Sequence, residues 1–176
     1  SSKGHANTQD LSDTMGLSRC ALNPQTMQSE KYYIQPAKKQ KKVAVIGGGI
    51  GGMEAAILLA KRGHTVTLYE KTSRLGGVFI AAAAPSFKEK DRELIAWYIR
   101  ELKKYPITVK MNTEIKDIKS LEADEVIIAT GAIAKKVPVK GAEKTIEAVE
   151  FLLGERQVGE KVAVIGGGLT GCEIAY

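Results

Sequence analysis

Residues 47–52 read GGGIGG, and Gly47, Gly49 and Gly52 meet the pattern G-x-G-x-x-G. Each glycine has a separate task in binding a phosphate: a tight turn out of a strand, room for backbone to approach a pyrophosphate, and close contact between helix and strand. Ile50 and Gly51 then stand at the head of the helix that follows, where unpaired N–H groups and the helix dipole favour an anion. Glycine-rich turns are common, so the pattern alone says little. Its weight comes from the acid that follows it at Glu70, placed to accept the hydroxyls of an adenosine ribose and to repel a 2′-phosphate. A solvent-facing glutamate at a strand end is the competing reading.

Three further groups carry chemistry or its absence. Lys71 and Arg74 follow the acid, and Gly76 and Gly77 after Leu75 either let backbone approach a ligand or another chain segment, or make a simple turn. Ala129, Thr130 and Gly131 end an apolar run at the carboxyl edge, where sheets of this class bind ligands. No nucleophile stands out. His64 reads as a solvated turn residue, and Cys172 as a small buried hydrophobe. A flavin would carry redox chemistry while the protein supplies position and electrostatics, so a missing nucleophile fits.

The elements that must hold these residues are legible around them. Residues 43–46 are a short apolar run of the kind buried on both faces of a parallel sheet. Residues 50–61 are rich in Ala and Leu and close at Gly63, predicting a helix with a glycine cap. Residues 65–69 are a second strand, and the three elements form a βαβ unit with a right-handed crossover. A loop over 72–85 leads to an amphipathic helix over 91–104, with Leu94, Tyr98 and Leu102 on its apolar stripe beside Ile95 and Ile99, and Trp97 at its margin. Residues 107–111 and 113–118 predict short strands in a hairpin or meander arm. Residues 125–129 predict a buried strand, 145–153 a short helix, and 161–165 another strand. The fold class is therefore α/β, a Rossmann-like parallel sheet, incomplete at its C-terminal side.

The sharpest signal is internal. Residues 42–49 and 161–168 are identical at eight positions, and agreement resumes at Gly52 with Gly171, Glu54 with Glu173 and Ala56 with Ala175. One recurrence with a different intervening pattern is two dinucleotide-binding units rather than a solenoid, so Gly166, Gly168 and Gly171 join the cofactor-binding candidates. Two such units suggest two cofactors exchanging electrons.

The totals agree with a protein of this kind. The chain has 176 residues, 44% hydrophobic and 26% charged, and its 18 glycines gather in the turns just described. The net charge of +6 raises nucleic acid as a partner. Its densest run, residues 38–42, has no interleaved aromatics and suits a solvated linker instead. No stretch approaches the roughly 20 apolar residues that span a bilayer, and no signal core follows the first residues. With two cysteines, Cys20 and Cys172, too far apart for a disulfide framework, the expectation is a cytoplasmic protein.

Taken together, Gly47 to Glu70, Leu75-Gly76-Gly77, Ala129-Thr130-Gly131 and the second glycine motif resemble the two-dinucleotide-binding-domain flavoproteins, which include the glutathione reductase and thioredoxin reductase groups. The phrases RCALNP at residues 19–24 and LGGVFIAAAAP at residues 75–85 are similar to the C-terminal part of the NADH:flavin oxidoreductases related to 2,4-dienoyl-CoA reductase, 2-enoate reductase and trimethylamine dehydrogenase. That resemblance covers residues 19–176. It implies a parent in which a barrel holds FMN, a cysteine-rich segment holds a four-iron cluster, and the C-terminal part holds FAD with an inserted NAD(P) domain. Cys20 is similar to the last cluster ligand, but no other cysteine precedes it and such a cluster needs about four thiolates. This chain alone should bind no cluster.

The resemblance implies an organisation in three parts: a lead-in or linker over 1–40, an FAD-binding domain over 41–141, and over 142–176 the beginning of an NAD(P)-binding domain. The chain then looks like a fragment whose partners are an adenine dinucleotide and the rest of a larger enzyme, with self-association through the cut end. Two rival readings stand beside it. One is a module that holds ADP or part of FAD without turnover, as trimethylamine dehydrogenase holds ADP. The other is part of a reductase like the glutamate synthase small subunit.

Overall fold

The computed structural model describes residues 25, 26, 28, 30–135 and 138–176. Cys20 and the RCALNP phrase lie outside them. The chain divides between Pro36 and Ala37. In the first unit, Gln28 N–H donates to Gln25 O at 2.9 Å and Tyr32 N–H to Gln28 O at 3.2 Å.

The second unit is built on a parallel sheet of four strands in the order β3-β2-β1-β4. They are β1 (Lys42–Ile46), β2 (Thr65–Tyr69), β3 (Ile107–Lys110) and β4 (Glu125–Ile128). In register, Ile46 of β1 faces Tyr69 on one side and Ile128 on the other, and Tyr69 in turn faces Lys110. The run from Val43 to Ile46 is buried at every position, as a central parallel strand requires. β2 alternates instead: Val66 and Leu68 are buried while Thr65 is exposed, so only one of its faces meets the core.

Helix α1 (Ile50–Lys61) crosses from β1 to β2 and lays Met53, Ala56 and Ile57 on Val45, Val66 and Leu68. Its end is a Schellman motif: Gly63 adopts φ +90°, its N–H donates to Ala60 O, and the His64 N–H donates to Leu59 O. The His64 side chain is not merely solvated, because its Nδ1 accepts the Lys41 N–H at 3.2 Å. After α2 (Phe79–Ala82), helix α3 (Glu89–Leu102) packs on α1. Leu102 is buried, and Tyr98 and Ile99 reach the core, whereas Leu94 is 38% exposed. The apolar stripe thus follows Ile95, Tyr98, Ile99 and Leu102, with Leu94 beside Trp97 at the margin.

Four expectations are corrected. Residues 113–118 form no strand; the parallel strand β3 ends at Lys110, Asn112 enters the left-handed region at φ 52°, and a 3-10 turn follows at Ile118–Ser120. Residues 161–165, although identical to β1, form no strand and lie exposed, since the described residues offer them no adjacent strand and no covering helix. The remaining helices are α4 (Ala148–Leu152) and α5 (Leu169–Ala175), and Cys172 on α5 is exposed rather than buried because α5 has no sheet beneath it. The anticipated loop over 72–85 also contains the short α2.

Candidate functional site

Where β1 turns into α1, backbone from four segments converges. Gly47 sits at φ +109°, and a Cβ there would lie 2.3 Å from Ala129 O, the residue just past β4. Gly49 caps α1 in extended conformation, and the first helical bond runs from Met53 N–H to its carbonyl at 2.9 Å. Amides ahead of that bond have no helical acceptor, and no side chain caps them. A Cβ on Gly52 would stand 1.8 Å from Gly47 O. Gly47 and Gly52 are therefore required by close approach, whereas a Cβ on Gly49 would meet only Gly77 Cα at 4.0 Å, an ordinary contact, and the turn leaves an open row of donors at a helix start.

The loop after β2 closes on this turn. Gly76, at φ +121°, donates its N–H to Gly48 O at 2.8 Å and bridges Gly49. A Cβ on Gly77 would lie 3.1 Å from Gly49 Cα. Gly76 and Gly77 are thus a second wall of backbone against the first turn. Lys71 and Arg74 are exposed on the same loop. Ile50 stands half-buried at the helix start, while Gly51, Thr130 and Gly131 are exposed around the opening, with nothing within 4 Å of the added Cβ positions at Gly51 and Gly131.

Glu70 lies at the centre of this arrangement and is only 6% exposed. Its Oε2 accepts the Gly48 N–H at 2.7 Å, and its Oε1 accepts the Thr72 N–H and hydroxyl, each at 2.8 Å. The solvent-facing reading is overturned. The Thr72 oxygen is also 2.9 Å from Arg74 O, but its single proton can serve one acceptor, and the carboxylate is the stronger. Backbone completes the frame: Thr113 N–H donates to Glu70 O at 2.8 Å and Asn112 N–H to Thr72 O at 3.0 Å.

Gly48, Thr72 and Asn112 were not picked out by sequence reasoning. Gly48 occupies a variable place in the pattern, yet a Cβ there would meet Leu75 Cδ2 at 2.5 Å. A third consecutive glycine was the available signal. Behind the loop, Leu75, Ile80, Ile95, Ile99, Val109 and Leu152 help to line an apolar cavity of about 1060 Å³.

The second motif repeats the first turn locally. Gly166 has φ +112°, Gly168 caps α5 at φ −76° and ψ −179°, and a Cβ on Gly171 would lie 1.9 Å from Gly166 O. Nothing comes within 4 Å of the added Cβ positions at Gly166 and Gly168, so this turn lacks the backbone walls that enclose the first. The two matching glutamates differ in neighbour: the charge of Glu54 acts on the Tyr98 phenol, whereas Glu173 takes Lys88 Nζ at 2.6 Å.

A parallel sheet whose first crossover carries this glycine turn, with an acid buried at the end of the second strand, defines a Rossmann-like domain of the FAD/NAD(P)-binding kind. The chain belongs to the pyridine nucleotide-disulphide oxidoreductase family, whose model matches residues 10–123 and 41–176. It is 44% identical over 158 residues to cinnamate reductase of Clostridium sporogenes, covering 89% of this chain and 24% of that protein. It is 41% identical over 167 residues to NADH oxidase of Thermoanaerobacter brockii, covering 90% and 26%. Among solved structures, a 2-naphthoyl-CoA reductase bound to 2-naphthoyl-CoA superposes with TM-score 0.83 at 34% identity, over 89% of this chain and 25% of that one. The chain thus spans about a quarter of the length of these relatives. Among the described residues, no helix is long and apolar enough to cross a membrane.

Proposed function

We propose that this chain is the FAD-binding portion of an NAD(P)H-dependent flavin oxidoreductase that passes hydride from nicotinamide to FAD and onward to FMN and a substrate such as an enoate or dienoyl-CoA. One observation carries the reading: the Gly47–Gly52 turn, closed by Gly76 and Gly77, leaves helix-start amides open beside a buried carboxylate, which is the donor set a dinucleotide requires. Residues 41–141 would hold FAD and residues 142–176 begin the NAD(P) domain. FAD supplies the two-electron redox chemistry, and this chain's residues bind and orient it. Gly47, Gly49, Ile50, Gly51 and Gly52 take the pyrophosphate, with Ala129, Thr130 and Gly131 along its path. Gly166, Gly168 and Gly171 serve the nicotinamide dinucleotide.

Glu70 holds the adenosine ribose, and the geometry limits how. A carboxylate offers about four lone-pair sites, and three are taken by Gly48 and Thr72. One ribose hydroxyl fits directly, and the second must share or displace a donor. A Glu70→Ala substitution should weaken ADP or FAD binding about tenfold, as expected for loss of a charged hydrogen bond; equal affinity in a direct titration would remove Glu70 from the site.

The test of the reading itself is a visible absorption spectrum of the purified chain. A flavin spectrum near one per chain supports an FAD portion. A colourless sample that still binds ADP supports the second reading, an adenine-nucleotide module without turnover, which the uncapped helix start at Gly49 beside the buried Glu70 carboxylate favours. A sample binding neither sinks both.

A further inference from the structure

Arg92, on the first turn of α3, is absorbed by nothing above. Its Nη1 donates to Ala83 O and to Pro85 O, each at 2.7 Å, and its Nη2 donates to Ser86 O at 3.0 Å. One planar guanidinium thus gathers three carbonyls from the chain that leaves α2, a geometry that the point charge of a lysine cannot reproduce. The consequence reaches the glycine turn through two isoleucines. A Cβ on Gly76 would lie 2.8 Å from Ile80 Cγ1 on α2 and 3.3 Å from Ile95 Cγ2, less than one turn beyond Arg92 on α3. On its other side Gly76 donates to Gly48 O and bridges Gly49. The Gly76 backbone is therefore seated between the phosphate turn and the α2–α3 pair, and Arg92 is what fastens α2's exit to α3.

We propose that Arg92 is a positioning residue of the cofactor site, holding α2 on α3 so that Gly76 and Gly77 stand at the depth that shapes the opening over Gly48 and Gly49. The inference rests on the functional reading above, and it concerns no direct contact with the cofactor. It is tested in this chain with Arg92→Lys and Arg92→Ala, ADP titrations, and amide hydrogen exchange. In Arg92→Lys the Gly76 amide should exchange about tenfold faster or more while Val45 in β1 keeps its protection, and ADP affinity should fall about tenfold. Millimolar guanidinium added to Arg92→Ala should recover much of the lost affinity, which a general loss of stability would not allow. Unchanged Gly76 exchange in Arg92→Lys overturns the inference, and so does unchanged ADP affinity in a wild type that binds ADP. Should Arg92→Ala fail to fold, the lysine variant decides alone. Should the wild type bind neither FAD nor ADP, the functional reading has failed, and Gly76 exchange still reports whether the fork sets the loop.

Discussion

Adjacent glycines at the start of α1 face opposite demands. A Cβ on Gly52 would collide with Gly47 O at 1.8 Å, backbone against backbone, whereas one on Gly51 has nothing within 4 Å. Gly52→Ala should therefore cost roughly 2–4 kcal/mol and open the β1–α1 turn. Gly51→Ala should be neutral or stabilise by up to about 1 kcal/mol, through the helix preference for alanine over glycine. Urea unfolding of the two variants checks both, and equal midpoints would mean that the turn is not tightly packed. The same contrast shows what spacing can convey. The pattern identified Gly47, Gly49 and Gly52 because each place has a steric reason that holds wherever the motif occurs. It was silent on Gly48 and Thr72, because their task is set by where the Glu70 carboxylate comes to rest in three dimensions.

At the scale of elements, β1, α1 and β2 were legible to within a residue, because burial, helix composition and the Gly63 cap all pointed the same way. The stretch after β3 was not. Its alternation suggested a strand, but Asn112 in the left-handed region turns the chain back under the β2 loop, where its N–H meets Thr72 O. Alternating apolar residues can equally line a loop that packs on one side.

The pairing of α1 with α3 has its own signature in Tyr98. Burial first, then the charge and hydrogen bond of Glu54, push its phenol from 10.0 up to about 12. The neutral phenol is favoured by the fold, so its contribution is complete below pH 10 and is lost as pH rises through about 12. In an absorbance titration of tyrosinate, Tyr98 should be among the last phenols to ionise, and Tyr98→Phe should remove that late step. Tyr98→Phe should also narrow the stability difference from wild type as the pH climbs above 10. A wild-type curve with no late step would sever the Tyr98–Glu54 link between the helices.

Over the whole molecule, the two copies of KVAVIGGG settle a general point about local sequence. At residues 42–49 the phrase is a buried central strand and turn, while at residues 161–168 only the turn forms. The turn is dictated by glycine φ angles and by one contact, Gly171 over Gly166 O, which are local. The strand is dictated by neighbours on both sides and helices on its faces, which the sequence of the strand cannot supply. The result is an apolar segment with Val162 56% and Ile165 66% exposed, close in sequence to Leu169 at 78%. At the sheet's edge, Ile128 of β4 is likewise 68% exposed, and among the described residues β4 pairs only with β1. Unpaired apolar backbone of this kind favours strand addition. The isolated chain should therefore associate with rising concentration in sedimentation velocity. Val162→Lys with Val164→Lys should suppress that association without changing the unfolding free energy by more than about 0.5 kcal/mol, because neither side chain packs on the core. If the double lysine variant associates as readily as wild type, the β4 edge would be the contact instead, and Ile128→Lys would be the substitution that relieves it.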